Sequence, residues 1–501
     1  MADVDRRSVL RGGAAAALLG GPFLGFVNRG VAGADPNPRH GGSFRELRAI
    51  PDERDGTVRL WLPEGFRYRS FHDTETPVVL DDGTTLPGRH DGMGAFHAPR
   101  RDSRHGGGRP GGNYILVRNH EVNGPGRAFG DPSRAYDPMA QGGTTTVEVT
   151  RYGQVVRSYT SLNGTQMNCS GGEMPWGSWI TCEETVNGPD VGPDFTGAPN
   201  TALTKPHGYV FEVPVDGRSD AMPITRAGRF AHESVAFDPR DGVLYLTEDN
   251  FGFPSGFYRY KPRRNPMRTG RLDNEGRLQM LAVRGRPNLD LAAAQRPRAS
   301  YRVEWVDIED PAPTFPYTPG QPAPTPNNVA LTHVARQGWA QGAAYFSRLE
   351  GSVYDDGVVY FCSTQGGGPA EASTGPIADG YGNGSGQVWA YNTRAGTLSL
   401  VYESPGPDVL DFPDNVTTSP RGTLVVCEDN VNNNYLRGLT KGGRLFDIAL
   451  NRLVGASGNP RFDDEFAGSC FSPDGHTLFV NIQASRGLTF AIWGPWARIG
   501  V

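Results

Sequence analysis

Short runs in which apolar and polar residues alternate recur along the chain, and each run follows a tight turn. Alternation with a period of two is typical of a half-buried β-strand, because successive side chains point to opposite faces of a sheet. One composite pattern, a turn with a glycine and then an alternating run with polar residues at its end, occurs in DPRDGVLYLTEDN (238–250), YDDGVVYFCST (354–364), SPRGTLVVCEDN (419–430) and SPDGHTLFVNIQ (472–483). Aromatic alternating runs add three further predicted strands, HGYVFEV (207–213), GFYRYKP (256–262) and GQVWAYN (386–392).

This repetition of turn and strand predicts the blades of a β-propeller, although copies this divergent also fit a β-sandwich or two β domains. We therefore expect an all-β chain that forms a β-propeller with six blades and loop insertions. The proline-rich stretch 311–328 predicts an extended loop, because proline cannot donate to the ladder of a central strand. No further boundary is evident, so residues 35–501 are predicted to form one domain.

The first 34 residues have the pattern of an export signal. Arg6 and Arg7 precede an apolar run rich in Ala, Gly and Leu, and Ala32-Gly33-Ala34 follows as a small-residue cleavage site. The leader resembles a twin-arginine signal, with an ordinary secretory signal or a chance pair of arginines as alternatives. We expect the twin-arginine export machinery as a partner and a periplasmic or secreted location. Elsewhere no stretch reaches the roughly 18 apolar residues that span a bilayer, so stable membrane insertion is not expected.

Composition and charge narrow the classes of partner. The chain has 501 residues with 54 acidic and 49 basic side chains, a net charge of −5, and no long run of one sign. This balance does not support nucleic-acid binding, and small-molecule partners are expected. The oligomeric state stays open.

Five cysteines are an odd number for an exported chain, so at least one lies outside any intramolecular disulfide. Cys362, Cys427 and Cys470 fall in strand-like runs and fit buried small apolar residues. Cys169 follows Asn168 and precedes Ser-Gly-Gly, which predicts a turn. Cys169 is therefore the candidate for a functional thiol.

Pairs of polar residues end several predicted strands. Glu248-Asp249 and Glu428-Asp429 end equivalent runs, and Glu183-Glu184 ends a third. In a propeller, equivalent strand ends from different blades face one axis, so these carboxylates would converge and need a cation such as a hard metal ion. The alternative is that each acid caps its own turn by accepting backbone N–H groups.

Three further clusters carry candidate chemistry. Arg348 and Glu350 alternate with Leu349, so both face one side of a strand. They fit either a salt bridge, or a metal-binding glutamate beside a guanidinium that binds an oxyanion. Glu121 and Glu233 each follow a histidine, and the two histidines, His120 and His232, also fit structural, hydrogen-bonded roles.

The stretch NCSGGEMPWGSWITCEE (168–184) resembles the signature of the PhoX-type alkaline phosphatases, exported bacterial β-propeller phosphatases. The resemblance continues in order through NHE (119–121), GRFAHES (228–234), YLTEDN (245–250), FSRLEG (346–351), VYFCSTQGG (359–367), PDN (413–415) and FAGSCFSPDGHTLFVNIQ (466–483). An ordered set that covers most of the chain is more specific than any single motif.

The resemblance implies a phosphatase that hydrolyses phosphate monoesters at a centre with an oxo-bridged iron pair and calcium. It implies catalytic roles for Arg348, Cys169 and Glu350, with Arg348 binding phosphate and Cys169 binding iron. The full candidate ligand set is Cys169, Glu184, Glu233, Glu350, Glu428, Asp429, Glu248, Asp249 and Glu121. A calcium-dependent propeller lactonase or esterase and a non-catalytic secreted propeller are the alternatives, because loops retune a pocket without changing the fold.

Overall fold

The computed structural model of the chain describes residues 45–99 and 112–501, so the predicted leader (1–34) lies outside the described residues. Nearly all regular structure in this part is β-strand, beginning with three strands, β1 (Arg48–Pro51), β2 (Val58–Leu62) and β3 (Arg67–Phe71). Consecutive groups of antiparallel strands follow. The first three groups are β4 (His90–His97), β5 (Tyr114–His120), β6 (Gly142–Val149) and β7 (Val155–Thr165); β8 (Asn168–Met174), β9 (Ser178–Glu183) and β10 (Val210–Pro214); and β11 (His232–Asp238), β12 (Val243–Glu248), β13 (Phe257–Pro262), β14 (Gly276–Val283) and β15 (Ser300–Asp307).

Three more groups complete the chain. They are β16 (Leu349–Asp355), β17 (Val358–Ser363), β18 (Gln387–Asn392) and β19 (Thr397–Glu403); β20 (Pro413–Thr418), β21 (Leu424–Glu428), β22 (Tyr435–Leu439) and β23 (Leu445–Asn451); and β24 (Glu465–Phe471), β25 (Thr477–Gln483) and β26 (Leu488–Trp493). The repeated sequence pattern is the second strand of four groups, β12, β17, β21 and β25, and the aromatic runs are the third strands β10, β13 and β18. The predicted strands are therefore confirmed.

The first strand of each group lies innermost, and these six inner strands (β4, β8, β11, β16, β20 and β24) form a ring. Each inner strand packs against the next one along the chain, and β24 packs against β4. This arrangement confirms the predicted all-β, propeller-like fold. Hydrogen bonding divides the strands into five sheets, because β15 pairs with β19 and joins two groups into one sheet of nine strands. The predicted count of six blades is not confirmed by this pairing.

Strands near the two ends of the chain close the ring. β3 is the outer strand of the last group and pairs antiparallel with β26, so that Tyr68 lies opposite Ile492. β2 pairs with β23 in the preceding group. Residues 67–71 and 489–493 thus complete one sheet.

The core consists of separate apolar clusters between neighbouring groups of strands. Between the third and fourth groups, for example, the Phe257 and Phe361 rings stack 4.4 Å apart, and Trp389 is fully buried in the same cluster. Burying one such aromatic side chain contributes about 1.5–3 kcal/mol. Because the clusters lie between the groups, the space on the ring axis is left for polar side chains.

Glycines allow the inner strands to approach one another closely. A Cβ atom at Gly92 on β4 would lie 2.5 Å from the Ser170 Cα on β8, and one at Gly351 on β16 would lie 2.7 Å from the Asn415 Cα on β20. Contacts this short exclude any side chain at the two positions. Part of the glycine content therefore follows from packing strand backbones around a narrow axis.

The described helices are short: α1 (Pro266–Thr269), α2 (Asn327–Leu331), α3 (His333–Trp339) and α4 (Trp496–Ile499). None of the helices in residues 45–99 and 112–501 has the length and apolarity that crossing a bilayer requires. The proline-rich stretch is a loop up to residue 326, as predicted, and its last two residues begin α2.

A buried arginine fixes this loop to the ring. The Arg229 guanidinium donates to both Asp190 carboxylate oxygens, at 2.7 and 2.8 Å, and to the Pro313 carbonyl at 3.0 Å. The Phe315 N–H donates to Asp190 as well. The loop is thus held at the end of the ring where the polar side chains gather.

Candidate metal centre

The inner strands share one register at their starts, and this register places their second residues on the axis. The first residue of each strand is paired with the last residue of the second strand of its group, as in His90 with His120 and His232 with Glu248. In five of the six strands a register shift follows directly, which is the mark of a β-bulge. A bulge redirects the side chains beside it. The second residues of these five strands are Asp91, Cys169, Glu233, Glu350 and Asp414.

A second set of acids comes from the residues that directly follow the second strands. Glu121, Glu184, Asp249 and Asp429 follow β5, β9, β12 and β21. Apart from Asp249, the two sets line one small cavity of about 50 Å³ together with Glu465, the first residue of β24. Asp249 lies beside Glu184 and Glu350 at the edge of this cavity. Ligand-type atoms lie within 4.8 Å of one another in four overlapping groups: Cys169–Glu184–Glu233, Glu184–Asp249–Glu350, Glu233–Glu350–Asp414 and Asp414–Asp429–Glu465.

Burial and mutual repulsion make these groups resist ionisation. Burial is the largest cause in each case, and it raises the pKa of Asp91, Glu233 and Glu350 well above the ordinary carboxyl range, with neighbouring carboxylates adding to the shift. The pKa of Asp414 rises to about 7, through burial and then Asp429. Burial, Glu233 and Glu184 raise the pKa of the Cys169 thiol well above its usual value. A cation at this position would lower the pKa of each of these groups, because it favours their ionised forms.

Two arginines border the cluster. The Arg348 Nη2 atom donates to Asp249 at 3.0 Å and to Glu350 at 2.9 Å, so the Arg–Glu salt bridge expected as one alternative is present. Arg348 adopts a left-handed backbone conformation with φ of 37°, directly before β16, and this aims its side chain at the cluster. On the opposite side, Arg89 Nη1 lies 3.5 Å from a Glu121 carboxylate oxygen.

The structure brings together most of the predicted site residues, but not Glu248 and Glu428. The residues that it places around the cluster are Cys169, Glu184, Glu233, Asp249, Glu350, Asp429, Glu121 and Arg348. Glu248 instead accepts hydrogen bonds from the Tyr258 hydroxyl at 2.9 Å and the Gly256 N–H at 2.8 Å. Glu428 accepts from Arg437 Nε at 3.0 Å and from the Tyr435 N–H at 3.2 Å.

The alternation of side chains explains this division. Glu248 and Glu428 are the last residues of β12 and β21, whereas Asp249 and Asp429 come one position later and face the other way. The first acid of each pair caps the start of the third strand in its own group, and the second acid points to the axis. The capping alternative thus holds for Glu248 and Glu428, whereas Asp249 and Asp429 converge with other acids, and metal binding by them stays a prediction.

We expect Asp249→Asn to lower metal binding and Glu248→Gln to leave it intact. The substitutions replace two adjacent, buried carboxyl groups with amides of the same size, so the two variants are matched in burial and volume. Of the two residues, only Asp249 belongs to a group of three ligand-type side chains within 4.8 Å of one another, the group with Glu184 and Glu350. Metal content after dialysis, measured by elemental analysis, checks this, and equal metal loss in both variants would contradict the assignment.

Asp91, Asp414 and Glu465 belong to the cluster but were not among the predicted site residues. The second strands are recognisable from a clear turn and alternation, whereas the inner strands follow no repeated turn. For Asp91 and Asp414 the identifying signal is the start of the inner strand: HDG, NCS, HES, LEG and PDN each carry a ligand-type side chain at the second position. Glu465 is the first residue of β24 and does not share this signal. PDN was part of the family resemblance, but no role was assigned to its aspartate.

The cysteines differ from the prediction in one respect. Cys169 lies on β8 and is 3% exposed, so the predicted turn is wrong; its Sγ atom is 3.2 Å from the His232 carbonyl oxygen. All five cysteines are buried and none forms a disulfide. Cys182 is fully buried on β9, outside the ligand groups.

His120 and His232 are structural. The His120 ring contacts the Gly88 carbonyl and the Thr145 hydroxyl, each at 2.9 Å, and the His232 ring contacts the Gly228 carbonyl at 3.0 Å. Burial lowers the pKa of both to about 3. They are therefore neutral side chains that fix the strand ends beside Glu121 and Glu233.

A larger cavity of about 710 Å³ adjoins the cluster, and we call it the vestibule. Glu184 and Asp249 line it at the cluster side. The Phe251 ring, also in its wall, has its centre 5.8 Å from the Arg348 Cζ atom. The vestibule lies beside the proposed anion-binding side chain.

The fold and site define a class of protein: a propeller-like β chain with a buried cluster of carboxylates, a thiol and an arginine on its axis. The family profile described as "Alkaline phosphatase PhoX" matches residues 45–156 and 153–485. The chain therefore belongs to the PhoX family of alkaline phosphatases. This confirms the family and the phosphatase class that the motifs predicted.

Among solved structures, Pseudomonas fluorescens PhoX in complex with vanadate, a transition state analogue, matches with a TM-score of 0.61 and 17% identity, over 91% of this chain and 99% of that one. This likeness supports the fold. A gluconolactonase from Xanthomonas campestris matches at a TM-score of 0.35 and 13% identity, over 81% of this chain and 96% of that one. A virginiamycin B lyase from Staphylococcus aureus matches with a TM-score of 0.35 and 11% identity, over 85% of this chain and 99% of that one. The latter two scores support no inference. No curated protein matches the sequence significantly.

Proposed function

We propose that the chain is an exported, metal-dependent phosphatase that hydrolyses phosphate monoesters at an iron and calcium centre on the ring axis and releases inorganic phosphate. The observation that carries the proposal is the convergence of Cys169 with buried carboxylates beside Arg348. Carboxylates this close repel one another when ionised, so a polycationic centre is the arrangement that they fit.

The donor types support two kinds of metal ion. Cys169, Glu184 and Glu233 combine a thiol with carboxylates, and a soft thiolate favours a transition metal such as iron. The other three groups offer only carboxylate oxygens, which suit a hard cation such as calcium. We accordingly assign Cys169 to iron, and Glu350, Asp414, Asp429 and Glu465 to the part of the centre that holds calcium.

The side chains around the centre would position the phosphate. Bound metal ions would neutralise negative charge on the phosphate and activate a water molecule. Arg348 presents a planar fork with several donors, which matches the oxygens of a phosphate. Asp249 and Glu350 hold this fork in place and keep it charged. Glu350 thus has two roles, as a proposed metal ligand and as the anchor of the phosphate-binding arginine.

We further propose six blades and export by the twin-arginine route. Six inner strands, each starting its own antiparallel group, support the blade count, with the nine-stranded sheet taken as two blades joined at their outer edges. The export proposal rests on the sequence of the predicted leader, residues 1–34. A route for folded proteins suits a thiol-containing centre, because a thiol stays reduced in the cytoplasm. A lactonase or a non-catalytic propeller is not favoured for a member of this family.

The test is to purify the exported protein, record its visible spectrum and metal content, and assay p-nitrophenyl phosphate with and without added calcium. A coloured, iron-containing protein whose phosphatase activity rises with calcium is the expected result. A colourless protein that leaves the phosphoester intact would overturn the proposal, and lactone hydrolysis would then favour the alternative.

A further inference from the structure

The vestibule has the size and position of a site for the organic part of a substrate. Its volume of about 710 Å³ falls within the range of small-molecule pockets in proteins. It shares Glu184 and Asp249 with the cluster, so a phosphate held by Arg348 would direct its ester group into this space. The cluster's own cavity, about 50 Å³, has no room for more than the phosphate end.

The wall of the vestibule is largely apolar. Its apolar side chains include Met167, Val186, Phe195, Phe251, Phe253 and Ile377. Such surfaces bind apolar groups by removing them from water, at about 0.8 kcal/mol for each CH₂ group that is buried. The wall therefore favours an alkyl or aromatic group over a polyhydroxylated one.

The charges in the wall all have one sign. Glu184, Asp194 and Asp249 are the ionisable side chains that line it within the described part of the chain, and no described lysine, arginine or histidine does so. Glu184 and Asp249 are proposed metal ligands, and Asp249 is also paired with Arg348. Asp194 is therefore the remaining acid of the wall that a second phosphate or a carboxylate on the substrate would meet. Repulsion and desolvation would then oppose binding of a polyanionic substrate.

Backbone hydrogen bonds tie the wall segments together, so the vestibule is preformed. The Gly192 N–H donates to the Thr325 carbonyl at 2.8 Å, and the Ile377 N–H donates to the Gly252 carbonyl at 2.9 Å. The segments around Phe195 and Ile377 are thus each joined to a neighbouring segment of the wall. A preformed wall lowers the ordering cost of binding.

The uncharged polar side chains of the wall are few: Thr185, Asn327 and Asn328. The Asn327 Nδ2 atom is buried and has no hydrogen-bond partner among the described residues. A lone donor of this kind in an apolar wall suits a single oxygen atom of a ligand. It does not compensate the several hydroxyl groups of a sugar.

From this wall we propose that the vestibule selects phosphate monoesters of apolar or aromatic alcohols that carry no second anionic group. The inference rests on the proposed phosphatase function and specifies its substrate class. Phosphates of sugars, and esters with a carboxylate or a second phosphate, are expected to be poorer substrates.

The test compares primary alkyl phosphates, because similar leaving groups keep the chemistry constant. The substrates are ethyl, hexyl, 2-phenylethyl and 5-carboxypentyl phosphate, assayed with the metal-loaded enzyme. We expect kcat/KM for the hexyl and 2-phenylethyl esters to exceed that for the ethyl ester by at least about tenfold, since several more CH₂ groups would be buried. The 5-carboxypentyl ester should show no such gain. The matching alkylphosphonates, which are not hydrolysed, should inhibit in the same order.

Substitutions in the vestibule wall test whether the wall causes the preference for the hexyl ester. Phe195 is 47% exposed at the rim, so Phe195→Ala should fold normally, and Ile377→Ala provides a second site. Each should lower the hexyl-to-ethyl ratio of kcat/KM several-fold. Tyr317→Ala is the matched control, because Tyr317 is also an exposed aromatic residue, 44% exposed, but does not line the vestibule. Its ratio should equal that of the unsubstituted enzyme.

The outcomes separate the two proposals. Equal kcat/KM for the four esters, or a ratio that Phe195→Ala and Ile377→Ala leave unchanged, would overturn the vestibule as the selective site while the phosphatase function stands. If the metal-loaded protein hydrolyses neither the four esters nor p-nitrophenyl phosphate, the proposed function fails, and the substrate inference fails with it.

Discussion

Arg348→Ala is expected to lower kcat/KM for phosphate monoesters by about a thousandfold while metal content stays unchanged. Arginines that stabilise charge on a transferring phosphoryl group are worth about 10³–10⁵ in rate. In the structure the guanidinium is 3% exposed and lies between the cluster and the vestibule, held by Asp249 and Glu350. Its loss removes the phosphate-binding fork and leaves the proposed ligands in place. Steady-state kinetics together with elemental analysis provide the measurement.

Two further variants separate phosphate binding from structural support. Arg348→Lys keeps the charge but loses the planar fork, so it should recover part of the rate. Arg437→Ala removes a comparable buried arginine, 8% exposed, which is paired with Glu428 and Asp447 in another group of strands. It should lower Tm but retain phosphatase activity. If Arg348→Ala instead lost its metal ions, the role of Arg348 would be to maintain the centre.

Cys169→Ser is expected to remove iron and the visible absorbance, and to lower phosphatase activity by more than about 100-fold. Replacing groups that only support a metal ligand already costs about 10–100-fold in affinity or activity, so loss of a ligand should cost more. Serine keeps the approximate shape of the side chain but offers no thiolate. The visible spectrum and iron content of the purified variant give the result.

Cys182→Ser is the matched control for this substitution. Cys182 lies on the neighbouring strand and is fully buried, and its thiol pKa is also raised by burial, but it lies outside the ligand groups. The Cys182→Ser protein should retain its colour and iron. An unchanged spectrum in Cys169→Ser, or equal loss in both variants, would show that Cys169 is not the iron ligand.

The strands were predictable because their signals are local. Alternation and turn glycines identify β12, β17, β21 and β25, and the proline run 311–326 excludes a strand. The grouping of strands into sheets was harder to predict from the sequence, because β15 and β19 are outer strands whose edges meet only in the folded protein. The blade count therefore could not be read from the repeat alone.

For the site, the sequence located the acids at the strand ends to within one residue. The Glu-Asp pairs were recognised, but only the alternation of side chains at the strand end decides that Asp249, and not Glu248, faces the axis. Asp91 is a single acid in a segment without a repeated turn, and Glu465 is the last of three consecutive acids, so no repeat marks either residue. These two acids join the cluster only because the starts of six inner strands meet in the folded protein. A local sequence pattern does not reveal such a meeting.

The pairing of β3 with β26 has a consequence for the synthesis of the protein. The residues of the cluster extend from Asp91 to Glu465, and the ring around them closes only when residues 489–493 meet residues 67–71. A nascent chain on the ribosome therefore holds an incomplete centre until residues 489–493 have emerged. Long-range pairing of this kind is slow. A frameshift or premature stop between residues 466 and 488 would remove the closing strand while every proposed ligand is still encoded.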